Sequence, residues 1–337
     1  MQSTVGAMRH SAARILVAAG MPEGPADRTA WALAAADAWG RGSHGLMRLP
    51  FYLDRFSAGG ANPAAVLRQV SDTGPAVCYD GDNGLGHWQV WEAAQVASQR
   101  AGQYGIAAVS VGNSGHCGAL GLYVAAAAEA GRASVAFSNG PAVIPPWGGR
   151  APVLSTSPIA FAMPDESGAV IVDLATSAVA RGKIAEAAAA GRELEAGWAL
   201  DADGQPTTDP AKALKGMLSP IGGAKGYALA TMVELLTGVL VGTNLAGDVA
   251  DPLSADAAGS AQRIGHLVIA IEPSMFDVDG HSSQRMSLYA KRVEAAGGRL
   301  PGSGRKLPGA ISDDDLLVIA DSVAERIAEH ASRLGVA

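Results

Sequence analysis

Cysteine is scarce: only Cys78 and Cys117 occur in 337 residues. Two thiols build no disulfide framework in a chain of this size, and free thiols suit a reducing, cytoplasmic setting. Charged residues are also few, at 17%, and no run rich in lysine or arginine occurs. With 25 basic and 32 acidic residues the formal charge is −7, which excludes the basic stripe that nucleic-acid binding needs. No apolar run suits a bilayer. The most apolar stretch, Leu229 to Ala246, is interrupted by Glu234 and by Gly242-Thr243-Asn244 and reads as a buried helix. Met1 to His10 is too poor in apolar side chains for a signal peptide. No G-x-G-x-x-G follows a strand, and no G-x-x-x-x-G-K-[ST] occurs, so the usual nucleotide fingerprints are missing. Cys117 adjoins His116 without the C-x-x-C or H-x-x-x-H spacing of zinc sites, so no metal is expected.

What is present is a globular composition: 48% hydrophobic residues and 43 glycines. Alanine-rich helices are expected over Ala12 to Ala19 and Ala26 to Ala38, with a third after Ser43-His44-Gly45 that ends before Gly59-Gly60. The middle alternates. Strands are expected at Val77 to Asp80, Ile106 to Val111, Ala133 to Phe137 and Leu267 to Ile271, and a hairpin at Ile159 to Met163 with Ala169 to Val172. Helices are expected at Trp88 to Ala101, Gly118 to Ala130, Lys183 to Ala190 and Gly226 to Val241, and a loop at Gly204 to Pro210. Two helices, Ser282 to Ala296 and Ser312 to Leu334, close the chain. The pattern implies an α/β protein whose mixed-sheet core, residues 76–279, carries a helical domain made by both termini: residues 1–75 packing with 280–337.

Seven histidines occur, three of them beside glycines: His44, His87 and His116. His10, His266, His281 and His330 sit in ordinary polar or helical contexts and receive no role. In Gly42-Ser43-His44-Gly45-Leu46-Met47-Arg48, a helix beginning near Ser43 would project His44 and Arg48 from one face. Imidazole can pass a proton to a forming alkoxide, and guanidinium offers a fork for a carboxylate. That pair is what reduction of a 2-oxo acid needs; the plain alternative is a solvated helix face. Asn113 to Gly121, containing His116, follows a buried strand and opens a helix, a junction that presents backbone N–H groups to an anion. Asp173-Leu174-Ala175-Thr176-Ser177 follows an apolar run, and Ile221-Gly222-Gly223-Ala224-Lys225-Gly226-Tyr227 opens the strongest helix. Glycines, a lysine and a helix N-terminus together suit a phosphate.

Taken in order, these segments resemble the malate/L-lactate dehydrogenase family of the type that lacks a Rossmann domain, whose relatives include sulfolactate, ureidoglycolate and diketogulonate oxidoreductases and piperideine/pyrroline-2-carboxylate reductases. The resemblance runs to about Gly302. It implies a homodimer with the site near a subunit contact and a mixed, non-Rossmann sheet binding NAD or NADP. It implies that His44 donates the proton, that Ser43 and Arg48 orient a small carboxylate substrate and that His116 lines the pocket; the sequence does not rank the two histidines. Asp173, Leu174, Ala175, Thr176, Ser177, Lys225, Gly226, Pro301 and Gly302 would face the cofactor. Two departures stand out. Ser155-Thr156-Ser157-Pro158 replaces a frequent Gly-Thr-Asn-Pro, and Ser303 replaces a frequent Glu after Pro301-Gly302. The reaction implied is hydride transfer to a 2-oxo acid, with reduction of a cyclic imine carboxylate as the alternative and a non-catalytic dinucleotide or carboxylate binder as a third reading. Arg181 is a candidate partner for a 2′-phosphate.

Overall fold

The computed structural model describes residues 1–166, 168–251 and 257–336. The chain opens with β1 (Gln2–Thr4), α1 (Val5–Ala18), α2 (Glu23–Ala38) and α3 (Leu49–Ser57). The core follows with β2 (Arg68–Asp72), β3 (Ala76–Asp80), α4 (Gly86–Tyr104), β4 (Ile106–Ser114), α5 (Gly121–Glu129), β5 (Ala133–Ser138), β6 (Ile159–Asp165) and β7 (Gly168–Leu174). A smaller lobe holds α6 (Arg181–Ala189), β8 (Ala199–Leu200), β9 (Pro206–Thr207), α7 (Pro210–Lys215) and β10 (Met217–Leu218). Then come α8 (Ala224–Glu234), β11 (Ile264–Ile271), α9 (Ser282–Ala295), β12 (Leu316–Val318) and α10 (Asp321–Arg333). Ser167, in the turn of the expected hairpin, lies outside the described residues.

The main sheet has seven strands in the order β2-β3-β4-β11-β5-β6-β7. Only β3 and β4 run parallel; the other neighbours are antiparallel. This is a mixed sheet, without the parallel order of a doubly wound nucleotide fold. Composition explains the layering. Ala107, Val109 and Val111 alternate inward on β4, and Ala93, Ala94, Ala97 and Ala101 form a stripe on α4 whose small side chains let the helix sit close. Gly105, at φ +83°, ends α4 with its amide on the Ala101 carbonyl.

The two termini meet. β1 pairs antiparallel with β12, and Val5, Met8, Ile15 and Leu16 share one apolar cluster with Leu317, Ile319 and Ile327. This corrects the single helix expected over Ser312 to Leu334. Asp315 is held by Lys306, and its carbonyl accepts the Val5 amide, so the chain is extended where Leu316–Val318 joins β1. The loop expected at Gly204 to Pro210 contains the short strand β9, and β1 and β2 were not foreseen. The helix expected through Val241 ends at Glu234 and continues as one π-helical turn, Leu235–Val239. No helix of the described residues is long and apolar enough to cross a membrane.

Candidate active site

The segment that carries Ser43, His44 and Arg48 is not one helix. Gly42–His44 and Leu46–Arg48 form two tight turns, and Gly45 between them is extended. A Cβ at Gly45 would fall within 2.4 Å of the Asp37 carboxylate, so only glycine fits. Asp37, near the end of α2, accepts the Leu46 amide at 2.8 Å and so pins the break. The helix-face argument for His44 and Arg48 is therefore replaced by a tether: the Arg48 Nε donates to the Ser43 carbonyl at 2.8 Å. The Ser43 hydroxyl lies 3.0 Å from His44 Nδ1.

His116 comes from the other side, after β4. Its ring stacks on that of His44, with centroids 5.9 Å apart and planes 21° from parallel. Behind His116 stand two residues not anticipated as part of the site. The Tyr52 hydroxyl, on α3, is 2.7 Å from His116 Nδ1 and 3.4 Å from His87 Nε2. The Gly118 amide also donates to His116 Nδ1, at 3.3 Å. Gly118 has φ +71°, and a Cβ there would sit 2.8 Å from His87 Nε2, so the turn needs glycine. His266 is a correction. Its context is a fully buried strand position in β11, where its Nε2 faces the Gly115 carbonyl at 3.1 Å and the Ser114 hydroxyl at 3.2 Å. His87 carried a signal, the adjacent Gly86; Tyr52 carried none.

The electrostatics keep these rings neutral. Burial, with Arg48 and Arg41 close by, pushes His44 down to about 4. Burial, with the charges of His44 and Arg48, holds His116 well below its ordinary range. Burial takes His87 to about 3 and His266 to about 4. It drives the Asp37 carboxyl up to about 6, and pushes Cys117 up to about 12, which leaves an inert thiol. Among the described residues, no three His, Cys, Asp or Glu side chains gather as metal ligands.

The segments expected at a cofactor converge on the end of β7. The Thr176 amide and hydroxyl both donate to the Thr156 carbonyl, and the Ile221 amide donates to the Thr176 carbonyl. The Ile171 amide donates to the Pro301 carbonyl, and Gly302, at φ +79°, packs where a Cβ would strike Ile171. At Asp173 burial raises the carboxyl, while Arg305, Arg41 and the Gly121 amide at the start of α5 oppose that rise. Leu174 is exposed at the strand end, Ala175 is half-buried, and the Ser177 hydroxyl is satisfied by the Val179 carbonyl. Lys225 is exposed. Gly226 is buried against the Ile221 carbonyl, with no room for a side chain. Arg181 pairs with Asp251 at 3.2 Å. Ser157 adopts φ +42°, and its amide and hydroxyl bond to Ser155, so the two serines stabilise the left-handed turn. A separate cleft of about 740 Å³ between α1 and α10, lined by such residues as Met8, Ile15 and Ile327, lies apart from this chemistry.

A model of malate/L-lactate dehydrogenases matches residues 4–315. The chain belongs to the malate/L-lactate dehydrogenase family. Among its relatives is a (2R)-3-sulfolactate dehydrogenase (NADP(+)) from Chromohalobacter salexigens, 39% identical over 311 residues that cover 89% of this chain and 92% of the relative. The solved sulfolactate dehydrogenase of Methanocaldococcus jannaschii superposes with a TM-score of 0.90 at 29% identity, covering 100% of this chain and 98% of that one. The delta1-piperideine-2-carboxylate reductase of Pseudomonas syringae pv. tomato gives 0.90 at 34% identity, covering 98% and 100%. The family's fold is the mixed sheet described above.

Proposed function

We propose that the protein is an NAD(P)-dependent oxidoreductase that moves a hydride between a nicotinamide and C2 of a small 2-oxo or 2-hydroxy acid of the malate, lactate or sulfolactate type. The observation that carries this reading is Arg48. Its guanidinium makes no ion pair with another described residue, is braced through Nε alone, and its charge helps to hold the stacked His44 and His116 imidazoles neutral. A braced cation with its terminal nitrogens unspent suits a carboxylate, and the adjacent histidines suit the oxygen that becomes an alcohol.

The chain's residues fit a dinucleotide. The Arg305 Nη1 is buried with no hydrogen-bond partner near Asp173, so a cationic donor there lacks an acceptor. Gly222 and Gly223 both have positive φ at the start of α8, and nothing lies within 4 Å of a Cβ at Gly222, so a ligand could approach the backbone there. Asp173–Ser177, Lys225–Gly226 and Pro301–Gly302 would hold the cofactor, and its nicotinamide supplies or accepts the hydride. Arg48 fixes the acid's carboxylate. His44 gives a proton to the C2 oxygen in reduction and removes it in oxidation. Ser43 orients the His44 ring through Nδ1.

A second reading is reduction of a cyclic imine carboxylate, favoured by the similarity to the piperideine-2-carboxylate reductase structure. It would use the same Arg48 clamp with C=N as the reacting bond. We also infer a cytoplasmic homodimer. Leu229, Met232, Leu235, Val239 and Leu240 lie exposed along α8 and its π-helical turn, an apolar stripe that a second copy would cover. The deciding experiment is a panel of pyruvate, oxaloacetate, sulfopyruvate and piperideine-2-carboxylate, each with NADH and NADPH. Turnover of a 2-oxo acid supports the first reading, turnover of the imine alone supports the second, and cofactor binding with no turnover would reduce the protein to a binder.

A further inference from the structure

The Tyr52–His116–Gly118 contact determines more than position. A backbone N–H can only donate, so the Gly118 amide 3.3 Å from His116 Nδ1 requires a lone pair on that nitrogen. A neutral imidazole with a bare Nδ1 carries its proton on Nε2. The Tyr52 hydroxyl, 2.7 Å from the same Nδ1, must then also donate. With its one proton committed, the Tyr52 oxygen is left as an acceptor, and His87 Nε2 at 3.4 Å is placed to donate to it. His87 in turn has a bare Nδ1, which is buried and has no hydrogen-bond partner. All proton directions along the row therefore agree: His87 Nε2–H to Tyr52, Tyr52 O–H to His116 Nδ1, and an Nε2–H on the far edge of His116.

We propose that Tyr52 is a positioning residue that, with the Gly118 amide, locks His116 in the tautomer protonated on Nε2, so that His116 donates a hydrogen bond to the 2-oxo oxygen as charge develops on it. The proposal rests on the reading of the site as a 2-oxo acid reductase. It divides the labour between the two stacked rings: His44 moves the proton, and His116 stays neutral and stabilises the oxyanion. Neutrality of His116 fits its burial beside Arg48 and His44, and the Tyr52 hydroxyl favours the neutral form further because it donates to the nitrogen that protonation would occupy. Tyr52 is suited to the task. It is only 1% exposed, so its hydroxyl has no water to compete for it, and its ring is fixed edge-on against His87 with centroids 5.1 Å apart. His87 is held by the tight turn at Gly118.

The test has two arms. Two-bond nitrogen–proton NMR correlations on protein with isotope-labelled histidine rings report each tautomer directly, with His116 assigned from the His116→Gln spectrum. The wild-type His116 should show the Nε2–H pattern without substrate, and Tyr52→Phe should shift it toward a mixture. In kinetics, Tyr52→Phe should lower kcat about 10- to 100-fold, less than the ~10²–10³-fold of losing an oxyanion donor outright, with KM and cofactor Kd within about two-fold. A wild-type Nδ1–H pattern would overturn the proposal whether or not the variant folds. So would a Tyr52→Phe protein with unchanged tautomer and kcat, or one changed in KM alone. If wild type turns over no 2-oxo acid, the functional reading fails while the spectra still decide what Tyr52 does.

Discussion

His44 and His116 lie ring over ring, 5.9 Å between centroids, although 72 positions apart in sequence by their numbers. Their immediate partners differ. His44 meets a serine hydroxyl of its own turn, and His116 meets a buried tyrosine and a backbone amide. His44→Ala should therefore lower turnover by ~10²–10⁴-fold, the usual contribution of an acid–base group, and leave cofactor affinity nearly unchanged. His116→Ala should cost less. Steady-state kinetics with nucleotide titration checks this, and a larger defect at His116 would exchange the roles.

Arg48 should be the carboxylate clamp. Removing one member of a buried charged pair costs ~2–5 kcal/mol, so at ~1.4 kcal/mol per tenfold Arg48→Met should lower kcat/KM by roughly 30-fold to several thousand-fold. Arg48→Lys should recover only part, because ammonium keeps the charge and loses the fork. A surface arginine would lose under ~1 kcal/mol; near-normal kcat/KM in Arg48→Met would place it in that class.

The acidity of His44 sets the pH dependence. In the free protein it titrates at about 4, so above that value it is neutral and ready to accept a proton from a 2-hydroxy acid. Oxidative kcat/KM should be flat through neutrality and fall as pH drops through about 4. A carboxylate bound at Arg48 offsets the positive field and raises His44, so the limb in kcat should lie at higher pH than the limb in kcat/KM. Reduction needs the protonated ring and should weaken as pH rises through that bound-state value. Coincident limbs in the two profiles would contradict the coupling of Arg48 to His44.

Much of the candidate site is local in sequence, so its segments can be picked out there. Ser43-His44-Gly45, Gly115-His116 and Asp173–Ser177 are short runs whose chemistry is visible in order. What was not legible depends on distant partners. Tyr52 has no glycine beside it, and its role exists only because α3 faces the loop after β4. His266 read as ordinary until β11 was inserted between β4 and β5. The same holds for the fold. Alanine-rich runs mark α1 and α2, whereas β12 was hidden inside an apparent helix because only its pairing with the chain start makes it a strand. The expected helix face of His44 and Arg48 was broken by Asp37, whose effect on Gly45 operates through space.

Asp37 should show in stability. Its folded-state carboxyl is raised to about 6 by burial, so its ionised form opposes folding. The associated stability is fully present below the unfolded value of 3.8 and is lost as pH rises through about 6. Asp37→Asn keeps an acceptor for the Leu46 amide without the charge and should raise Tm at pH 8 relative to wild type, with little gain at pH 4. Thermal melts at both pH values check the sign; a lower Tm for Asp37→Asn at pH 8 would show that the carboxylate is wanted as an anion.

The central claim is hydride transfer to C2 of a 2-oxo acid. The most direct measurement supplies NADH or NADPH deuterated at C4 with the best acid of the panel and examines the product by mass spectrometry and NMR. One deuterium at C2 of the 2-hydroxy acid, from one face of the nicotinamide, is the predicted result. Oxidation of the dinucleotide with no label at C2 would contradict the account.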